Sequence, residues 1–196
     1  MTSKGNVTLQ SQLSDQYIQD NLETFDKWVS GDGNLFSPEQ EQYILDHMEP
    51  SEDVLYRFST PSNTNYGDEA YENEHDNLKI GDSVFFTGTL KSFSEDFSSF
   101  QEGVVEIFRN PRYRQLNNAP YNIFIAPKGT PMFSLDYYQE EYGQAERLVR
   151  GDGKGEGWLV KDIKTVNYYD FFDRKNTTHE ELRENEKVRL IYIEEA

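Results

Sequence analysis

The chain has 196 residues, contains no cysteine and carries a formal net charge of -17, from 36 acidic and 19 basic side chains. The lack of cysteine excludes disulfide scaffolds, thiolate zinc sites and thiol nucleophiles. The acidic balance argues against nucleic-acid binding, and its dispersed carboxylates either solubilise the chain or favour association with a basic partner. No apolar run approaches the roughly 20 residues that cross a bilayer and no export signal is recognised, so we expect a cytoplasmic protein without membrane contact.

Length and periodicity predict one folded domain that follows a short tail. Residues 1–10 are polar and are expected to be flexible, whereas residues 11–196 are long enough to bury about 70% of their unfolded surface as a single domain. Apolar spacing divides this domain into a helical part over residues 11–50 and a β-rich part over residues 53–196. Because helices precede the strands instead of alternating with them, we predict an α+β fold with a mostly antiparallel sheet.

Two helices are predicted in the N-terminal part. Apolar side chains recur at helical spacing over Leu13–Val29, and Gly31 follows as a C-terminal stop. The run Ser37-Pro38-Glu39-Gln40 has the cap, first-turn proline and third-position glutamine of a capping box. It predicts a second helix that stops before Pro50.

Short β-type runs separated by polar turns are predicted for the remainder of the chain. One helix interrupts them, over Glu95–Glu102, and residues 58–79 form an unusually long polar connection. Met132–Tyr142 is polar and aromatic, which is typical of a surface loop that contacts a ligand or partner. The predicted strands are Val54–Phe58, Ser83–Thr87, Val104–Phe108, Tyr121–Ala126, Glu146–Val149, Trp158–Val166 and Lys187–Ile193.

Common phosphate-binding and metal-binding motifs do not occur in the sequence. The glycine-rich run Gly151–Gly157 leads from one predicted strand into the next, so it offers no helix N-terminus to a phosphate and is predicted to be a flexible hairpin. His47, His75 and His179 are isolated and are expected on the surface. No metal site is therefore predicted.

Three separated pieces of sequence carry the functional signal. Leu55-Tyr56-Arg57 ends the first predicted strand with a guanidinium, which can hold phosphates bidentately. Ser92-Phe93-Ser94 precedes the predicted helix in the β-rich part. Gln144-Ala145-Glu146 begins a short strand, so its first and third side chains leave the same face. Each piece alone is commonly structural, and their order along the chain is what is informative.

In this order, with helices in front, the three pieces resemble the signature of the mono-ADP-ribosyltransferase family. That signature is an Arg on the first strand, a Ser-X-Ser motif on a later strand and a (Glu or Gln)-X-Glu motif on a strand further on. The resemblance covers about Glu49 to the C-terminus and implies the two-sheet β core of that family. It also implies an enzyme that transfers ADP-ribose from NAD+ to a side chain of a host protein and releases nicotinamide.

The resemblance implies a role for each matching residue. Glu146 is expected to bind a ribose hydroxyl and to stabilise the oxocarbenium-like transition state. Ser92 would orient that glutamate and the nicotinamide ribose, and Arg57 would hold the pyrophosphate. Gln144 would help to present the acceptor side chain, and no metal would be needed. The neighbouring residues expected to complete the NAD+ site are Tyr56 and Ser94, and Ser94 is also the expected N-cap of the following helix.

Departures from the family pattern refine these expectations. Phe93 stands where the serine motif more commonly has Thr. Gln144 stands where arginine-modifying members have Glu, which points to Asn or Gln as the modified side chain. Members with a Gln-X-Glu motif are exported toxins, whereas this small acidic chain shows no export signal. It is therefore more similar to the transferases that bacteriophages make inside their host for host takeover, acting in the host cytoplasm.

Two other functions are compatible with the same residues. The chain could be a non-catalytic module on this fold, with an acidic surface that occupies a basic host protein. It could also be an NAD+ glycohydrolase, in which water replaces the acceptor side chain. Incubation with labelled NAD+ and host lysate separates the three functions, because they give labelled proteins, no product and free ADP-ribose, respectively.

Overall fold

Helices and strands both contribute to the computed structural model, as the α+β class predicts. Within the part of the chain that it describes, no helix is both long and apolar enough to cross a membrane. The described residues are 13–59, 75, 77–86, 88–101, 121–139, 145–172 and 187–196.

Three helices come first along the described chain. Helix α1 covers residues 13–20, α2 covers Leu22–Val29 and α3 covers Pro38–Asp46. Further along the described residues, helix α4 covers residues 97–101, within the predicted helical range, and helix α5 covers Tyr168–Phe171.

The single helix predicted over Leu13–Val29 is interrupted at Asn21. The Asn21 backbone has φ -125° and ψ 32°, outside the helical region, and its side-chain Nδ2 donates to the carbonyl of Tyr17 at 2.9 Å. The apolar period continues across the break because Ile18 and Phe25 are both fully buried in the same cluster.

Helix α3 begins with the predicted capping box. Ser37 Oγ accepts from the Gln40 backbone N–H at 3.2 Å, and Gln40 Oε1 accepts from the Ser37 backbone N–H at 2.8 Å. Gln40 Nε2 also donates to Asn21 Oδ1 at 2.9 Å. The cap therefore fixes α3 against the junction between α1 and α2.

Nine strands of the described residues form one sheet. They are β1 Glu49–Pro50, β2 Leu55–Ser59, β3 Ser83–Val84, β4 Leu90–Ser94, β5 Tyr121–Ala126, β6 Pro131–Ser134, β7 Glu146–Arg150, β8 Trp158–Asn167 and β9 Lys187–Glu195. Their order in the sheet is β1-β6-β7-β4-β2-β5-β9-β8-β3.

This single mixed sheet replaces the two sheets that we expected. Strands β5 and β9 pair in parallel, and the other neighbours pair antiparallel. The two halves of the sheet join between β2 and β4 through one register pair, Tyr56 with Ser94. That pair makes the ladder continuous, yet it leaves the two strands free to diverge on either side of it.

Two predicted connections differ in the structure. Met132–Tyr142 is not a loop throughout, because its first residues belong to β6 and Asp136–Tyr138 forms a 3₁₀ turn. Gly151–Gly157 joins β7 to β8, which are not neighbours in the sheet, so it is a crossover turn and not a hairpin. The predicted strand Val104–Phe108 and most of the long connection over residues 58–79 lie outside the described residues.

The two faces of β4 and β7 pack into different apolar clusters. Phe93 and Val149 point into a cluster that contains the fully buried Trp158. Leu90 and Leu148 lie on the opposite face, since side chains alternate along a strand, and pack beneath α1 to α3. The N-terminal helices therefore cover the part of the sheet that carries the serine motif and Glu146.

Candidate active site

A cleft of about 500 Å³ opens where the end of α2 meets strands β2, β4 and β7. Three of the residues that the sequence predicts for the site line this cleft: Arg57, Ser92 and Glu146. The other lining residues are Trp28, Gly31, Gly33, Asn34, Gly88, Leu90 and Lys91.

Glu146 is the first residue of β7 and is partly buried. It lies opposite Ser94 in the ladder and shares a strand face with Leu148, which the N-terminal helices cover completely. The indole Nε1–H of Trp28 donates to Glu146 Oε1 at 2.9 Å. The packing of Leu148 on the same strand face and the hydrogen bond from Trp28 together define the position of the Glu146 carboxylate.

Arg57 reaches the cleft from β2. Its Nη1 donates to the backbone carbonyl of Ser92 at 3.1 Å, and its guanidinium lies 5.9 Å from the ring centroid of Phe86, within cation–π range. The register between β2 and β4 ends after the pair of Tyr56 with Ser94. The arginine therefore bridges the two strands at the point where they part.

Ser94, the second serine of the motif, makes a hydrogen bond to a residue close to it in sequence. Ser94 Oγ donates to the carbonyl of Asp96 at 3.2 Å, and Ser94 is not the helix cap that we expected. The cap is Asp96, whose carboxylate accepts from the backbone N–H groups of Ser98 and Ser99 at 3.3 and 3.1 Å. Asp96 takes this role because it directly precedes α4, where the unpaired N–H groups of the first turn are within reach.

Tyr56 lies outside the cleft lining. Its ring packs on Phe97 and Phe100, at centroid distances of 5.2 and 5.4 Å, in a separate apolar cluster. Burial raises the pKa of the Tyr56 phenol, with a smaller contribution from Asp53. The structure therefore brings Arg57 to the cleft and directs its neighbour into the core, as alternation along a strand requires.

Gln144 lies outside the described residues, so its predicted position beside Glu146 stays a prediction. Of the three histidines, His75 is buried and hydrogen-bonded to Ser59 Oγ at 3.2 Å, contrary to the surface position expected for it. In the described ranges, no three acidic or histidine side chains are grouped as ligands for a metal ion.

The backbone on which Glu146 stands is tied down by its neighbour Arg147. This side chain is 8% exposed and forms ion pairs with Glu95 and with Asp136, the latter at 2.7 Å. Arg147 Nη1 also donates to the carbonyl of Glu146 at 3.0 Å. The start of β7 is thereby fixed by charge-assisted hydrogen bonds on the face opposite the glutamate side chain.

Trp28 and Lys91 are among the residues of the cleft that sequence reasoning did not predict. Trp28 follows Phe25 by three positions and so belongs to the apolar stripe of its helix, which gives no sign of a polar contact with Glu146. Lys91 stands beside the serine motif and adds a second cation. Among the described residues that line the cleft, the ionisable side chains are Arg57, Lys91 and Glu146, a local excess of positive charge in a strongly acidic chain.

Comparison with known proteins gives structural neighbours only. No protein-family model and no curated protein matches the chain. C3larvin toxin, an ADP-ribosyltransferase from Paenibacillus larvae, matches over 99% of this chain and 94% of its own, with 14% identity and a TM-score of 0.43. Plx2a, an ADP-ribosyltransferase toxin from the same organism, matches over 92% and 83%, with 12% identity and a TM-score of 0.45. The ADP-ribosylating toxin BECa of C. perfringens, solved with NADH, matches over 96% and 48%, with 13% identity and a TM-score of 0.44.

Proposed function

We propose that the protein is a mono-ADP-ribosyltransferase, which transfers ADP-ribose from NAD+ to a side chain of a host protein and releases nicotinamide. The observation that carries this proposal is the convergence of Arg57, Ser92 and Glu146 on one cleft. Their order in the sequence predicts such a site, and no local feature of the chain requires that they meet.

The size and charge of the cleft suit NAD+ as the substrate. A volume of about 500 Å³ lies within the range of roughly 300–1,000 Å³ that is typical of small-molecule sites. The diphosphate of NAD+ is anionic and would be repelled by a surface with the average charge of this chain. Arg57 and Lys91 provide the local cations that the diphosphate needs, and the planar guanidinium of Arg57 fits two phosphate oxygens at once.

Glu146 supplies the electrostatic contribution to the reaction. The bond between ribose C1′ and the nicotinamide nitrogen breaks, its electron pair leaves with nicotinamide, and positive charge develops on the ribose. A carboxylate held beside that charge stabilises the transition state. The acceptor atom then forms the new bond to C1′ and releases its proton, while Ser92 orients the ribose.

We propose that the acceptor is a protein with a basic surface. A net charge of -17 favours association with a protein that has a basic surface. Gln144 is proposed to present the acceptor side chain, and its amide favours Asn or Gln over Arg. The resemblance to transferases made by bacteriophages makes a host cytoplasmic protein the proposed target.

Labelled NAD+ tests the proposal directly. The unaltered protein, incubated with NAD+ labelled in its ADP-ribose moiety and with bacterial lysate, should label a small set of proteins. Glu146→Gln in parallel should leave them unlabelled. Free ADP-ribose without labelled proteins would replace the proposal with NAD+ glycohydrolysis. If NAD+ is not consumed in any lysate, the enzymatic assignment is wrong.

A further inference from the structure

We infer that Trp28 is a positioning residue for the catalytic carboxylate, acting through the hydrogen bond from its indole N–H to Glu146. This inference rests on the proposed function, because it assigns a partner to the glutamate of that site. It also makes α2, which lies ahead of the whole sheet in the chain, a part of the active site.

The geometry of the contact defines what the indole does. Trp28 Nε1 lies 2.9 Å from Glu146 Oε1 in a partly buried position. An indole can donate this one hydrogen bond and cannot accept any, so Oε1 must face it as the acceptor. The bond therefore holds the carboxylate in one rotamer, with Oε1 occupied and Oε2 available to a ribose hydroxyl in the cleft.

The indole is itself held in place by the packing of α2. One turn earlier, Phe25 is fully buried and packs on Phe36 and Phe133, at centroid distances of 4.9 and 6.3 Å. On the same helix, Asp26 Oδ1 accepts from the hydroxyl of Tyr138 at 2.7 Å. The Trp28 ring rests on Phe36 at 5.5 Å. A donor that is held by its anchored helix and by Phe36 can impose its position on Glu146 instead of following it.

The other tryptophan shows what a purely structural indole looks like in this fold. Trp158 is completely buried in the main apolar cluster, and its Nε1 donates to the backbone carbonyl of Arg150 at 3.1 Å. Trp28 is only partly buried, lines the cleft and donates to an ionisable side chain 118 residues away. The packing of the Trp28 ring requires neither its indole N–H group nor the Glu146 carboxylate as an acceptor.

The hydrogen bond can be tested without measuring activity, because the chain has two tryptophans and hence two indole N–H signals. In ¹H–¹⁵N spectra, Glu146→Ala should shift the signal of Trp28 and leave that of Trp158 in place. The Trp28→Phe and Trp158→Phe variants assign the two signals. A Trp28 signal that does not move in Glu146→Ala overturns the inference.

Kinetics test the positioning role itself. Trp28→Phe keeps the aromatic packing and removes the donor, and it should lower kcat for transfer by about 10- to 100-fold, the scale of a misplaced reacting group. Its KM for NAD+ should stay within about threefold. Val29→Ala is the matched control, since Val29 packs on the same cluster from the same helix and its side chain has no hydrogen-bond donor to lose, and it should retain the kcat of the unaltered protein.

A double-mutant cycle separates positioning from folding. In a Glu146→Ala background, Trp28→Phe should change the residual rate by less than about threefold, because its target is gone. An equal loss in both backgrounds, or a kcat for Trp28→Phe equal to that of Val29→Ala, overturns the inference while the proposed function stands. Absence of transfer by the unaltered protein overturns both.

Discussion

Glu146 and Arg57 reach one cleft from opposite faces of the sheet. Glu146 shares the face of Leu148, which the N-terminal helices cover, whereas Arg57 shares the face of Leu55, which belongs to the main apolar cluster. Both side chains can line the cleft because β2 and β4 are joined by a single register pair. The Arg57 guanidinium reaches the carbonyl of Ser92 on β4.

We predict that Glu146→Gln lowers ADP-ribose transfer by roughly 100-fold or more, the scale of losing one preorganised electrostatic group. The amide keeps the shape of the side chain and an oxygen that can accept from Trp28, so the NAD+ dissociation constant should stay within about threefold. Single-turnover rates and calorimetric NAD+ binding check the two parts. Turnover equal to that of the unaltered protein would exclude the catalytic role.

Arg57→Ala should act mainly on substrate affinity. Removing a charge-assisted hydrogen bond to the diphosphate is expected to weaken NAD+ binding by about 1.5–3 kcal/mol, as measured by calorimetry. Arg57→Lys is the matched variant, and it should recover part of the affinity because it keeps the charge without the planar fork. If the affinity of Arg57→Ala equals that of the unaltered protein, Arg57 serves only to bridge β2 and β4.

At the scale of the elements, α4 depends on its cap. The side chain of Asp96 accepts from the Ser99 hydroxyl at 2.6 Å and from the backbone N–H groups of Ser98 and Ser99. These bonds, that of the Ser99 hydroxyl first, lower the pKa of Asp96. A lowered pKa in the folded state means that the ionised cap stabilises the fold above the ordinary Asp value, and that this stabilisation is lost as the pH falls through the folded value.

Asp96→Ala should therefore lower the free energy of unfolding by about 0.5–2 kcal/mol at pH 7. The difference from the unaltered protein should shrink as the pH falls below the ordinary Asp pKa of about 3.9. Urea unfolding over a series of pH values measures both effects. Ser98→Ala is the control, because it keeps the backbone N–H that Asp96 binds. A destabilisation that does not depend on pH would show that the carboxylate charge contributes nothing.

At the scale of the whole molecule, one ionic cluster joins segments that are distant in sequence. Arg147 on β7 pairs with Glu95 after β4 and with Asp136 after β6. Glu95 Oε1 also accepts from the backbone N–H groups of Glu52 and Asp53, between β1 and β2, at 2.6 and 3.0 Å. The cluster thus ties the starts and ends of five strands together.

Arg147→Met should be strongly destabilising, by about 3–5 kcal/mol, because it leaves the buried carboxylate of Glu95 without its counter-charge. The midpoint of urea unfolding measures this loss. Lys27→Met removes the exposed ion pair with Glu23 on α2 and is expected to leave the midpoint unchanged. Equal midpoints for Arg147→Met and the unaltered protein would show that the buried cluster does not stabilise the fold.

Much of the local structure could be predicted from the sequence. The capping box at Ser37, the strand Tyr121–Ala126 and the turn at Gly31, with φ 81°, all follow from interactions within a few residues. The predictions of a single long helix and of a cap at Ser94 were wrong for an equally local reason. The Asn21 amide donates to a nearby backbone carbonyl, and the Asp96 carboxylate accepts from a nearby backbone N–H group. The spacing of apolar residues does not indicate such side-chain to backbone hydrogen bonds.

The sequence by itself determined the helix-then-strand order, the acidic balance and the three residue types proposed for the candidate site, because periodicity, charge and motif order are properties of the chain. Only the tertiary structure decided that β2 and β4 meet at one pair, which merges two expected sheets into one. It also decided that Trp28 donates to Glu146 across 118 residues. Both depend on how the N-terminal helices and the strands pack, and long-range packing leaves no periodic signal in a single sequence.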